Sequence, residues 1–171
     1  MTITKILTVL LAIALIGCGP PVNDKDKDNK IEAPSNNKSA YMAEKIKIEE
    51  LKNALTKLQE GQTEFPFIGI TSNGTDCIYF MPKSGKFDVD FEAMGADQLP
   101  YIDKLKVFAD ANKFKSLMTT YNNQPQYKSD KPAPVLHIQT NLSLEDVAKL
   151  GERIQSEIFK NSKDTVYEIV P

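Results

Sequence analysis

The residues able to do chemistry are few. His137 is the single imidazole in 171 residues, set in the apolar run Pro134-Val135-Leu136-His137-Ile138-Gln139-Thr140. A general base needs an oriented partner and a substrate or nucleophile within hydrogen-bond reach, and sequence neighbours supply neither. Alternation with Leu136 and Ile138 puts His137 on the opposite side of a strand from them, in a structural or solvent-facing role. Asp88, Asp90 and Glu92 alternate with apolar residues. On a strand that spacing places three carboxylates on one face, about 7 Å apart. Such a row could offer oxygen ligands to a hard cation if a loop completed the set, and with His137 it would suit a metal-dependent hydrolase or transferase. The plainer reading is the wet face of an antiparallel strand. Two Cys and one His cannot build a structural zinc site. No G-x-S-x-G, H-E-x-x-H, P-loop or dinucleotide fingerprint is present. The formal net charge is −2, so the clustered basic excess of a nucleic-acid binder is missing.

The two cysteines read differently. Cys18 closes an N-terminal segment in which Lys5 is followed by the apolar run Ile6 to Ile16, broken only by Thr8. At 1.5 Å per residue such a run is too short for a hydrocarbon core of about 30 Å, but it fits the apolar region of a signal peptide. It ends in Leu15-Ile16-Gly17-Cys18, which closely resembles the lipobox of bacterial lipoproteins. The resemblance covers about a tenth of the chain. It implies removal of residues 1–17 and a covalent lipid on Cys18, the one non-protein group expected; no other cofactor is. Acyl chains contribute about 0.8 kcal/mol per buried CH₂, so two chains anchor stably. Gly19 stands where Asp would resemble the inner-membrane retention signal. The resemblance therefore favours the outer membrane, at its periplasmic face or the cell surface, over the inner membrane.

Residues 18–40 read as the lipidated Cys and a disordered tether, because only Val22 and Ile31 offer sizeable apolar surface to offset the entropy of ordering. The alternating Asp24-Lys25-Asp26-Lys27-Asp28 lacks the Gly and distal Glu of an EF-hand loop and reads as a solvated spacer. Residues 41–171 read as a single α+β domain. Ile48, Leu51, Leu55 and Leu58 predict one amphipathic helix over Tyr41 to Glu60, ended by Gly61. Ser72-Asn73-Gly74 between two β-rich runs predicts a hairpin with a type I′ turn. That turn would set Ile70 opposite Cys77, Ile68 opposite Tyr79 and Pro66 opposite Met81, and would bury Cys77 as a small hydrophobe.

Pro82 to Gly85 predicts a second turn. Lys86 to Glu92 follows as a strand with Phe87, Val89 and Phe91 on the core face. Asp97 and Pro100 open a helix to Ala111, with Ile102, Leu105, Phe108 and Ala109 inward and Asn112 as a left-handed cap. Phe114 to Tyr121 and Pro134 to Thr140 read as strands, the first with a continued helix as its alternative. Ser143 with Asp146 resembles a capping box for a helix carrying Val147, Leu150, Ile154 and Ile158. Thr165 to Val170 is the last strand. From Lys86 the order βαββαβ resembles the ferredoxin-like arrangement, which leaves the 65–81 hairpin without a place beside the first strand.

Function divides into two classes. The first is a membrane-anchored envelope lipoprotein acting as a non-catalytic binding module, such as a toxin-neutralising protein or a component of an envelope complex, with a protein partner in the envelope. The second is the metal-dependent envelope enzyme on Asp88, Asp90 and Glu92. For the first, Asn122 to Ala133 is the candidate contact segment: it has no helical or strand period and carries Tyr127, Lys128 and Lys131 among prolines that limit its flexibility.

Overall fold

Alternation decides the centre of the sheet. In the computed structural model, which describes residues 43–121 and 133–170, Lys86–Glu92 is a strand whose Phe87, Val89 and Phe91 are buried while Asp88, Asp90 and Glu92 face the other side. Numbered along the chain, the strands are β1 (Lys45–Lys47), β2 (Ile68–Thr71), β3 (Ile78–Lys83), β4 (Lys86–Glu92), β5 (Lys115–Tyr121), β6 (Ala133–Leu142) and β7 (Val166–Val170). The helices are α1 (Leu51–Gln59), α2 (Leu99–Ala111) and α3 (Leu144–Arg153). The seven strands form one sheet in the order β1-β7-β2-β3-β4-β6-β5, every neighbouring pair antiparallel. The protein is α+β. The lipobox, the tether and Tyr127, Lys128 and Lys131 lie outside the described residues.

One core joins all three helices to one sheet face. Leu51, Leu55 and Leu58 of α1, Ile102, Leu105 and Phe108 of α2, and Val147 and Leu150 of α3 pack in one cluster with Ile70, Ile78, Phe80, Val89, Phe91 and Ile138. The start of α3 is set as expected, with Ser143 Oγ accepting from the Asp146 amide at 3.2 Å and donating to its carboxylate at 2.6 Å. Beyond Arg153 the helix widens into a π turn, Ile154–Ile158, which keeps both Ile154 and Gln155 buried.

Four expectations are corrected. The stretch before Leu51 is not helical: Lys45–Lys47 is β1, paired with β7, and Ile48–Glu50 is a 3-10 turn. Ile46 is buried through that pairing, a long-range contact that overrides local helical spacing. The hairpin register is also shifted by one, to Ile70 opposite Ile78, Gly69 opposite Tyr79 and Ile68 opposite Phe80. A one-residue slip exchanges faces, so Ile78 and Phe80 point to the core and Tyr79 does not. The cause is a loop over residues 72–77, longer than a type I′ turn. The left-handed residue after α2 is Lys113 (φ 62), not Asn112 (φ −94); Asn112 instead donates its side-chain amide to the Phe108 carbonyl at 2.7 Å. Finally, β7 does not lie beside β4. The β2–β3 hairpin occupies the place between them, so the strand order departs from the ferredoxin-like one.

Candidate functional site

Cross-strand register assembles what sequence spacing could not. On the face away from the helices, His137 of β6 stands between Asp90 of β4 and Leu117 of β5. His137 Nδ1 lies 2.9 Å from Asp90 Oδ1, and its Nε2 lies 2.7 Å from Thr119 Oγ1. A carboxylate, an imidazole and a hydroxyl thus form one hydrogen-bonded line across three adjacent strands. Burial pushes the Asp90 carboxyl above its ordinary range, and the His137 ring pulls the other way. Burial also raises Glu92, and the neighbouring Asp90 charge adds to that. Thr119 was not among the candidates from sequence. Its link to His137 exists only once β5 and β6 are paired, and no local pattern encodes that pairing.

The three carboxylates share a face, as alternation requires, but not a site. Asp88 accepts from the Asn141 amide at 3.0 Å and lies 3.6 Å from Lys83 Nζ, where the β4–β6 pairing shifts register. Asp90 turns to His137. No group of three His, Cys, Asp or Glu among the described residues is placed to hold a metal ion.

A second polar cluster is buried. Asp76, 1% exposed, accepts from Thr71 Oγ1 at 2.7 Å, the Ser72 amide at 2.9 Å, Ser72 Oγ at 2.6 Å and Asn161 Nδ2 at 2.5 Å. Its backbone carbonyl accepts from Gln155 Nε2 at 3.0 Å, which is why the π turn buries a glutamine. Gln98, just before α2, donates to the Gly74 carbonyl at 3.0 Å. This hub fastens the β2–β3 loop to the start of α2 and the end of α3. Burial alone would raise the Asp76 pKa; the donors from Ser72, Thr71 and Asn161 outweigh it and leave it below the ordinary value. Ser72-Asn73-Gly74 followed by Asp76 is a local turn signal for part of this; Gln155 and Asn161 carry no signal in sequence.

Cys77 is buried, as expected, and burial pushes its thiol pKa up to about 12. A thiol that is neither exposed nor ionised is a poor nucleophile. Modification by a bulky thiol reagent should therefore be slow in the native protein and fast in denaturant; rapid native labelling would contradict the burial. A separate groove of about 470 Å³ runs beside α1, lined by Ala54, Phe65, Phe67, Ile68, Ile169 and Val170.

No protein-family model matches the chain, and neither a curated protein nor a solved structure is significantly similar to it. No helix among the described residues is long and apolar enough to cross a membrane.

Proposed function

We propose that the chain is a lipid-anchored envelope protein whose domain is a binding module, tethered through Cys18 and meeting a protein partner on the helix-free face of the sheet. The lipobox-like Leu15-Ile16-Gly17-Cys18 supports the anchor. One observation carries the binding role: that face, on β4, β6 and β5, carries Asp90, Glu92, His137 and Thr119 and leaves Leu117 of the outermost strand 55% exposed. A broad sheet face suits a macromolecular surface better than the enclosed pocket a small ligand needs. Tyr127, Lys128 and Lys131 stand in the connection between β5 and β6, so the candidate contact segment grows out of the strands that carry this face. In fold terms the reading is a ferredoxin-like βαββαβ unit from Lys86 onward, opened by the inserted β2–β3 hairpin. Among the described residues no arrangement of ligands favours the metal-dependent enzyme.

Two measurements on the full chain test this. Labelled palmitate should be incorporated into the wild type, whereas Cys18→Ser should accumulate as an unlipidated, uncleaved precursor. A mature, membrane-bound Cys18→Ser protein would refute the anchor. A photo-reactive side chain placed at Leu117 should give one discrete protein adduct in cells; a folded, correctly located protein that gives none would refute the partner surface.

A further inference from the structure

The line of Asp90, His137 and Thr119 has a direction. An ionised carboxylate only accepts hydrogen bonds, so Asp90 requires the proton on His137 Nδ1. Nε2 of the neutral ring is then a bare acceptor, and the Thr119 hydroxyl 2.7 Å away donates to it. That is the order of a nucleophile, a general base and a group that fixes the base's tautomer. Thr119 is exposed and His137 partly so, and an incoming carbonyl carbon can therefore reach Oγ1. The charges around it select the electrophile. Asp88, Asp90 and Glu92 share the face, which repels anionic phosphoryl donors and tolerates a neutral acyl group, and Leu117 gives that group an apolar neighbour.

We propose that Thr119 is an activated nucleophile that takes an acyl group from a neutral ester or thioester of a small carboxylic acid. Oγ1 of Thr119 bonds to the carbonyl carbon while its proton passes to His137 Nε2, leaving a tetrahedral oxyanion. The oxyanion collapses, the bond to the leaving oxygen or sulfur breaks, and that atom takes the proton back from Nε2. The products are an ester on Thr119 and a free alcohol or thiol, with no oxidant or metal consumed. Water activated by the same imidazole then releases the acid. His137 is a catalytic residue in this scheme, and Asp90 is a positioning residue. The proposal stands apart from the anchor and the partner, and either can fail without it.

The test uses the purified full-length protein and p-nitrophenyl acetate at neutral pH, reading nitrophenolate release and the mass of the peptide carrying Thr119. The wild type should gain one acetyl group on that peptide, or release nitrophenolate in a reaction that Thr119→Val abolishes. Thr119→Ser should retain the reaction. His137→Gln should slow it by roughly 10²–10⁴-fold. Asp90→Asn should also slow it and alter its pH profile, because an amide can present its NH₂ to Nδ1 and reverse the tautomer. Thermal melts confirm that each variant is folded. Acetylation confined to lysines would overturn the proposal, as would wild-type rates in folded Thr119→Val. So would a folded wild type that neither gains the adduct nor releases nitrophenolate above solvent, which would leave Thr119 as a strut between strands.

Discussion

Asp76→Ala should lower the unfolding free energy by about 3–5 kcal/mol in chemical denaturation. The substitution removes the acceptor of five hydrogen bonds from Thr71, Ser72, Asn73 and Asn161 at a position 1% exposed to solvent. Each donor left buried without a partner costs about 1–3 kcal/mol, and water entering the loop recovers part of that. Asp76→Asn should fall between, because its carbonyl keeps one acceptor but turns an NH₂ toward the remaining donors. The pH dependence follows from the sign of the shift. With its folded pKa below the unfolded one, Asp76 contributes stability that is fully present above the unfolded value and is lost as pH falls through the folded one. Glu92, whose folded pKa is raised, acts in the opposite sense: its ionised form burdens the fold, and acid relieves it. Asp76→Ala should therefore show a flatter loss of stability in acid than the wild type. An equal acid slope in both, or a change below about 1 kcal/mol at neutral pH, would show that the loop holds without its carboxylate.

The second large effect is a reversal of sign at Gly151. A Cβ there would sit 2.7 Å from Leu51 Cδ2 and 2.8 Å from Phe80 Cζ. Gly151→Ala should thus destabilise the wild type by roughly 1–2 kcal/mol, since overpacking of about 1–3 kcal/mol exceeds the helical advantage of Ala over Gly, about 1 kcal/mol. Phe80→Ala should cost about 3–5 kcal/mol, because its ring is fully buried and Gly151 has no side chain to enter the space. In the Phe80→Ala background the clash with the ring is gone, the Leu51 methyl can turn into the space the ring leaves, and the helical advantage remains. Gly151→Ala should then be neutral or stabilising. A double-mutant cycle measures this directly, and strict additivity would show that Phe80 does not confine position 151.

Local rules carried the centre of the molecule. The alternation of Phe87, Val89 and Phe91, the inward set of α2 and the Ser143 cap are each decided within one element, so a linear pattern reveals them. What failed was non-local. Lys45–Lys47 becomes a strand only because β7 offers it an edge. The hairpin register depends on Asp76, whose partners Gln155 and Asn161 arrive from the far end of the chain. The candidate site shows the same division. His137 and Asp90 were visible as isolated groups on alternating strands, but their 2.9 Å contact and the addition of Thr119 are products of register between β4, β6 and β5. Residue type could nominate those side chains; only pairing could join them.

The insertion of β2 and β3 between β7 and β4 also dictates when the sheet can be completed. β4, α2, β5 and β6 are consecutive and can associate as soon as Leu142 exists. β1 and β2 are made before any of these, but their shared neighbour β7 follows β6 in the chain. Until then β2 keeps one bare edge and β1 has no strand to join. Closing that half requires a loop spanning nearly the whole described chain, the slow kind of contact in folding. The β1-β7-β2 half of the sheet is thus completed only after the β4-β6-β5 half, with its earlier strands the last to be locked.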